Sequence, residues 1–455
     1  MSEAETTSDS AALSTKAEVR TLMPELKEDL VRLARIPSIA FAGFPRGPLV
    51  EAHDLVTELL RGAGVEEIET LELPDTAPVI MGGIPAPEGA PTVLLYGHYD
   101  VVPAGDESLW SSPPFEPIER DGAIFGRGTS DSKANIIVHV GALRAWNGHP
   151  PVGIKLVIEG EEEIGGGAFA SYPQAHPEAF RADAMLIADM GSVRPGVPTL
   201  TVALRGTAVV TVEATTLGAA KHSGQYGGAA PDALLAVLHA LASLHDANGD
   251  VAVEGLRREE WNGDSYSDEE FKELAEVETG LQLIGSGGLG SRIWSGPAIT
   301  VIGIDAAPVD EALNAVVPHA RARLNIRVHP GQDAAEAQAA VVRQLEEVKP
   351  FGVSLRVEAG ATGNGFAAET GGPAYKAAIE AKTAAWGIAP LIMASGGSIP
   401  LVSALQEAAP DAEILLLGAT DGHSNIHAPD ERVLLEELEN AVVAEADFFR
   451  RFAGL

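Results

Sequence analysis

Five stretches of the chain concentrate side chains able to hold metal ions or to move protons. They are His98-Tyr99-Asp100, the turn Gly126-Arg127-Gly128-Thr129-Ser130-Asp131, the acidic run Glu159-Gly160-Glu161-Glu162-Glu163, Asp189, and His427-Ala428-Pro429-Asp430-Glu431. Taken singly, each has an ordinary structural use. A His-x-Asp after a strand is commonly a hydrogen-bonded pair, and acids at a helix start complement its dipole. An aspartate in a turn caps the helix that follows. Taken jointly they are a donor set. Three carboxylates and two imidazoles can hold two divalent ions, with one carboxylate bridging. Glu162, beside Glu163 and unable to reach the same ion, is then left as a general base. Such a carboxylate takes a proton from water and passes it to a leaving amine.

These residues need strand ends to bring them together, and the pattern supplies them. Val93, Leu94 and Leu95 form an apolar run bounded by Pro91 and Gly97, the signature of a strand buried on both faces. Val152–Ile158 and Ala184–Ala188 read the same way, and ligands collect at the carboxyl ends of such strands. Helical spacing predicts a helix over 19–34, its proper start set by Pro24, and a second over 50–61 that stops at Gly62-Ala63-Gly64. Strands are expected at Glu67–Leu73, Val79–Gly83 and Glu413–Leu417, and helices at Asn135–Trp146 and Ala374–Trp386. This alternation implies an α/β domain with a mostly parallel, doubly wound sheet.

Near Thr201 the pattern changes. Thr201–Leu204 and Val209–Ala214 read as strands with no helix between them. An amphipathic helix marked by Leu234, Leu238 and Leu241 follows, then a strand at Arg321–Val328, a helix at Ala334–Val348 and a strand at Val353–Val357. These make an α+β unit over 203–362, inserted between the two parts of the α/β domain, 1–202 and 363–455. Gly360–Gly372 is expected to be the return crossing. Gly285–Gly290 lacks the strand-to-helix setting of a phosphate loop.

Composition narrows the partners. A chain of 455 residues suits two domains. The net charge of −34 argues against nucleic acid and anionic membranes, which need clustered Lys and Arg. With no cysteine, any metal must sit on His, Asp and Glu. No apolar run is long enough to span a membrane. The first 18 residues read as a frayed acidic tail, not a signal peptide, and the expected location is cytoplasmic.

The segments HYDVVP, GRGTSDSKAN, EGEEEIGG, LIAD and HAPDE, in that order, resemble those of the zinc-dependent aminoacylase, carboxypeptidase G and cytosolic (carnosinase-type) dipeptidase family. The resemblance runs from about residue 20 to the C-terminus. It implies two zinc ions per subunit, with cobalt or manganese as substitutes, on His98, Asp131 (bridging), Glu163, Asp189 and His427. It makes Glu162 the base and gives Asp100 the task of orienting His98.

The insert matches as well. Lys221-His222-Ser223-Gly224 resembles the family's lid histidine motif, which implies that His222 stabilises the oxyanion in the neighbouring subunit of a homodimer joined through the inserted lid domain. Asn314-Ala315-Val316-Val317-Pro318, Arg327 and Gly396-Gly397-Ser398 resemble the elements that bind a substrate carboxylate, which implies that role for Asn314, Arg327, Gly397 and Ser398. Two positions depart from the family pattern: Ser132 stands where a second acid is usual, and Ala134 replaces a glycine. His423 reads as a loop residue, and Glu161 as non-catalytic. The expected activity is hydrolysis of dipeptides or short peptides with a free C-terminal carboxylate. N-acyl amino acid deacylation uses the same chemistry. A metal-binding module without turnover is the contrasting reading, against which Glu162 speaks.

Overall fold

The computed structural model describes residues 3–397 and 399–455. The chain divides into two compact units: Met1–Val202 with Ala368–Ile392 and Pro400–Leu455, and Ala203–Ala367 with Met393–Ile399.

The centre of the first unit is four parallel strands in the order Gly153–Glu159, Thr92–His98, Ala184–Ala188, Glu413–Leu417. Val93 to Tyr96 are fully buried, successive side chains facing opposite ways, so the run is apolar throughout. Antiparallel strands flank this core: Val79–Ile84 and Glu67–Leu71 on one side, Thr199–Leu204 on the other. The parallel, doubly wound expectation is met. Helices Glu3–Ala34, Lys133–Ala145, Pro373–Trp386 and Leu435–Phe452 pack on one another and share one apolar core with the sheet. Within it, His139 gives Nδ1 to Glu445 at 2.8 Å and Nε2 to the Tyr96 carbonyl at 3.1 Å. Burial opposes charging this ring, but the Glu445 carboxylate wins and raises its pKa.

The second unit is a four-stranded antiparallel sheet in the order Ala298–Ile304, His319–Val328, Gly206–Thr215, Arg356–Gly363. Gly206–Thr215 alternates buried and half-buried side chains, as a sheet with one covered face should. Helices Ala233–Ala242 and Ala334–Glu347 supply that cover.

Some expectations need correction. The N-terminal helix starts at Glu3 and passes through Pro24, because alanine, glutamate and leucine carry helix propensity through what reads as a tail. The last strand of the four-stranded sheet is Arg356–Gly363, so the first part of the expected crossing at Gly360–Gly372 is paired backbone. Gly360 is accommodated there for packing: a Cβ would lie 3.2 Å from Val209 Cβ on the adjoining strand. Ala298–Ile304 and Leu391–Ser395 are strands that the periodicity did not single out.

Candidate metal centre

Three of the four parallel strands of the first unit deliver chemistry at their carboxyl ends. Thr92–His98 ends on His98 and leads to Asp100, and Ala184–Ala188 runs directly into Asp189. Gly153–Glu159 leads into the short 3-10 turn Glu162–Ile164. Gly160 allows that passage: a Cβ on it would sit 2.3 Å from the Tyr99 ring. The acids of this run are therefore not a solvated helix start. Glu161 is buried, accepts the Ala77 N–H at 2.9 Å and meets Arg46 at 2.7 Å, a structural use.

The five residues expected as ligands converge. Asp131 lies between two imidazoles, its Oδ1 3.1 Å from His98 Nε2 and its Oδ2 3.1 Å from His427 Nε2. His98 Nε2 is also 3.4 Å from Asp189 Oδ1, and His427 Nε2 is 3.0 Å from Glu163 Oε2. Ligand atoms of His98, Asp131 and Glu163 lie within 4.8 Å of one another, as do those of His98, Glu162 and Asp189. Asp100, fully buried, does more than orient one ring. Its Oδ1 is 3.3 Å from His98 Nδ1 and accepts the Glu162 N–H at 3.1 Å, while Oδ2 accepts the Glu163 N–H at 3.1 Å. One carboxylate thus fixes the histidine and the acidic turn together.

A second buried carboxylate, Glu431, to which the sequence assigns no role, organises the turn that carries Asp131. It accepts Arg127 Nη1 at 2.6 Å and the N–H groups of Gly128 (2.9 Å), Ser130 (2.9 Å) and Asp131 (3.0 Å). The only sequence signal was its place in HAPDE; nothing in the chain order links it to a turn some 300 residues earlier. Asp421 performs a similar service for the His427 loop through a two-pronged pair with Arg432 at 2.6 and 3.0 Å. His427 itself has φ +61°, and Asn425 and Asp430 are also left-handed. Such backbone persists where surrounding contacts over-determine it. Ser132, at the usual position of an acid, is satisfied: its hydroxyl donates to the Ala188 carbonyl at 3.1 Å, next to Asp189.

The electrostatics call for cations. Burial, then the charges of Asp189 and Glu163, push Glu162 up to about 9. Burial also raises Glu163 and Asp189, with Asp131 adding repulsion to both. His427 is raised to about 10 by its bonds to Asp131 and Glu163. Carboxylates this close cannot all stay ionised without positive charge among them. Among the described residues the buried Glu163 Oε1 has no hydrogen-bond partner, so it has a free lone pair for an ion. The residues fit a pair of divalent cations, and an oxygen-rich set with two imidazoles suits zinc, cobalt or manganese.

In the second unit, His222 and Asn314 come together. His222 pairs with Ala315 across a short ladder, and the Ser223 N–H donates to the Asn314 carbonyl at 2.9 Å. Both side chains are exposed. Arg327 lies half-buried on His319–Val328, and the Gly397 N–H donates to Ser395 Oγ at 3.2 Å. Ser398 lies outside the described residues.

A strand-end cluster of this kind defines a metal-dependent hydrolase. Residues 94–451 match the model of peptidase family M20/M25/M40, and the chain belongs to that family of metallopeptidases. It is 40% identical to a cysteinylglycine-S-conjugate dipeptidase of Corynebacterium striatum, over 88% of this chain and 89% of that protein. Its fold superposes on the dipeptidase Dug1p of Saccharomyces cerevisiae with a TM-score of 0.79 at 21% identity, covering 98% of this chain and 99% of that one. A dinuclear metal-binding peptidase of family M20 from Bacillus subtilis matches with a TM-score of 0.58 at 13% identity, over 95% of this chain and 98% of that one. Among the described residues, no helix is long and apolar enough to cross a membrane.

Proposed function

We propose that this protein hydrolyses the peptide bond of dipeptides, or of short peptides with a free C-terminal carboxylate, using two zinc ions on His98, Asp131, Glu163, Asp189 and His427. The observation that carries this reading is the split of the Asp131 carboxylate between His98 and His427, 3.1 Å each way. A bridging ligand needs that disposition. The dipeptidase names of the relatives support the substrate class.

When bound, the cations supply Lewis acidity to the scissile carbonyl and acidify the attacking water. Glu162 takes the proton from that water and hands it to the leaving amine. Asp100 keeps His98 and the Glu162–Glu163 backbone in register, so the base and the ligands move as one piece. His222 donates to the developing oxyanion, and Arg327, Asn314, Gly397 and Ser398 hold the substrate carboxylate. In this reading the protein is a cytoplasmic homodimer joined through the second unit, each His222 serving the neighbouring subunit. The exposed Val301, Ile302 and Ile304 on the edge strand Ala298–Ile304 support such an interface.

The test is metal content measured beside turnover of dipeptides and N-acyl amino acids. Dipeptide turnover abolished by a chelator is the expected result; turnover of acylated amino acids alone would make the protein a deacylase. Glu162→Gln should keep its metal and lose about 10²–10⁴-fold in kcat. Undiminished hydrolysis in that variant would remove Glu162 from the role of base.

A further inference from the structure

We infer that Arg205 is a second substrate-binding guanidinium, which with Arg327 forms a two-arginine site for the substrate's C-terminal carboxylate. The inference rests on the reading above that Arg327 binds that group.

Arg205 follows the strand Thr199–Leu204, its N–H donating to the Ser395 carbonyl at 3.3 Å. The residue is only 9% exposed. Its Nε is buried with no partner, and Nη1 reaches the Gly296 carbonyl only at 3.5 Å, the outer limit of a hydrogen bond. Nη2 abuts Gly396, where a Cβ would lie 3.0 Å away. No carboxylate pairs with Arg205 or with Arg327 among the described residues. Shortage of acid is not the cause, since the chain has 65 Asp and Glu against 31 Lys and Arg.

Arg327 lies on His319–Val328, opposite Thr207, two residues beyond Arg205, and Ala298. The two cations are near enough that, after burial, the charge of Arg327 helps to lower Arg205 to about 10. Arg205 therefore stays cationic at neutral pH. A buried cation without a counter-ion is costly, and a like charge beside it makes it more so. The arrangement is accounted for if the anion arrives with the substrate. Guanidinium forks match a carboxylate in geometry as well as charge. A side chain at Gly396 would press on Arg205 Nη2, and the glycine avoids that contact.

The test compares wild type, Arg205→Met, Arg205→Lys and Arg327→Met on a dipeptide and on its C-terminal amide. Where the amide turns over too slowly, the inhibition constants of a free amino acid and its amide replace them. Arg205→Met should lower kcat/KM for the free acid by about 10- to 100-fold, chiefly through KM, and leave the amide within about twofold. Arg205→Lys should fall between, keeping the charge without the fork, and it serves alone if the methionine variant does not fold. The melting temperature of Arg205→Met should not drop, because an unpaired buried charge has been removed. Equal losses on acid and amide, or a lowered melting temperature with both, would make Arg205 a structural strut and overturn the proposal. No effect of Arg205→Met while Arg327→Met loses the acid preference would overturn it and leave the Arg327 reading standing. A wild type with no preference for acid over amide would overturn both.

Discussion

Replacing Glu431 with glutamine tests whether the residues proposed to hold metal are themselves held by a carboxylate that is not among them. Glu431 Oε1 accepts the N–H groups of Ser130 and Asp131, and Oε2 accepts Arg127 and Gly128. An amide offers one accepting oxygen, so two of those donors would face an NH2 group. The retained bonds would be neutral where they had been charge-assisted, a difference of about 1 kcal/mol each. Arg127, almost wholly buried, would lose its counter-charge, and breaking such a pair costs about 3–5 kcal/mol. The expected result is a stability loss of about 3 kcal/mol or more, with metal affinity lower by about 10–100-fold as the Asp131 turn loosens. Melting with and without added metal, and a metal titration against a chromophoric chelator, measure the two effects. Adding Arg127→Met should return part of the lost stability, since the unpaired guanidinium is gone. A Glu431→Gln protein that melts with wild type and binds metal equally well would refute the clamp.

Asp100→Asn should act from the other side of the site: one of the Glu162 and Glu163 N–H groups loses its acceptor, and metal affinity should fall about 10–100-fold in the same titration. Chelation should lower the melting temperature and excess metal restore it, by about 4 kcal/mol of stability at a thousand times Kd; an unchanged melt would mean that the carboxylates need no cation. Lys382 is a pH prediction away from the site. Burial, against the opposing charge of Glu437, lowers its pKa to about 8, and the ammonium lies 4.8 Å from the Trp386 ring centre. Between about pH 8 and the unfolded value near 10.5 the unfolded chain binds the extra proton, so stability rises with pH across that window and the burial penalty is complete below it. Lys382→Met should therefore be the more stable form at pH 7, by a few kcal/mol, and lose that advantage towards pH 10.5. Parallel pH–melting curves for the two proteins would contradict this.

The fold and the residues that converge at the strand ends were legible where a residue's neighbours along the chain reveal its environment. Val93–Leu95 and Ala184–Ala188 read as doubly buried strands because each lacks any polar position, and His98 and Asp189 follow at their ends. Arg356–Gly363 was not read at its true extent because its glycines resemble a loop, although Gly360 is there to let Val209 approach. The supports were less legible still. Glu431 meets the Asp131 turn, and Asp100 the amides of Glu162 and Glu163, only through the sheet's long-range connections. The His-x-Asp spacing ties Asp100 to His98 but not to the two amides, and nothing in the spacing of Glu431 distinguishes it from a surface acid.

Each unit carries buried charge that its own residues leave uncompensated, and the signs are opposite. In the first, burial, with repulsion from neighbouring carboxylates, drives Glu162, Glu163 and Asp189 towards protonation. In the second, the buried Arg205 feels the like charge of Arg327, and neither has an ion-pair partner among the described residues. A protein selected only for stability would pair or dilute such charges. Keeping both clusters makes physical sense under the proposed reading, in which metal supplies the missing positive charge and substrate the missing negative one. It also gives substrate selection a physical basis: a peptide lacking a free carboxylate would leave the arginines as unpaired as they are without it.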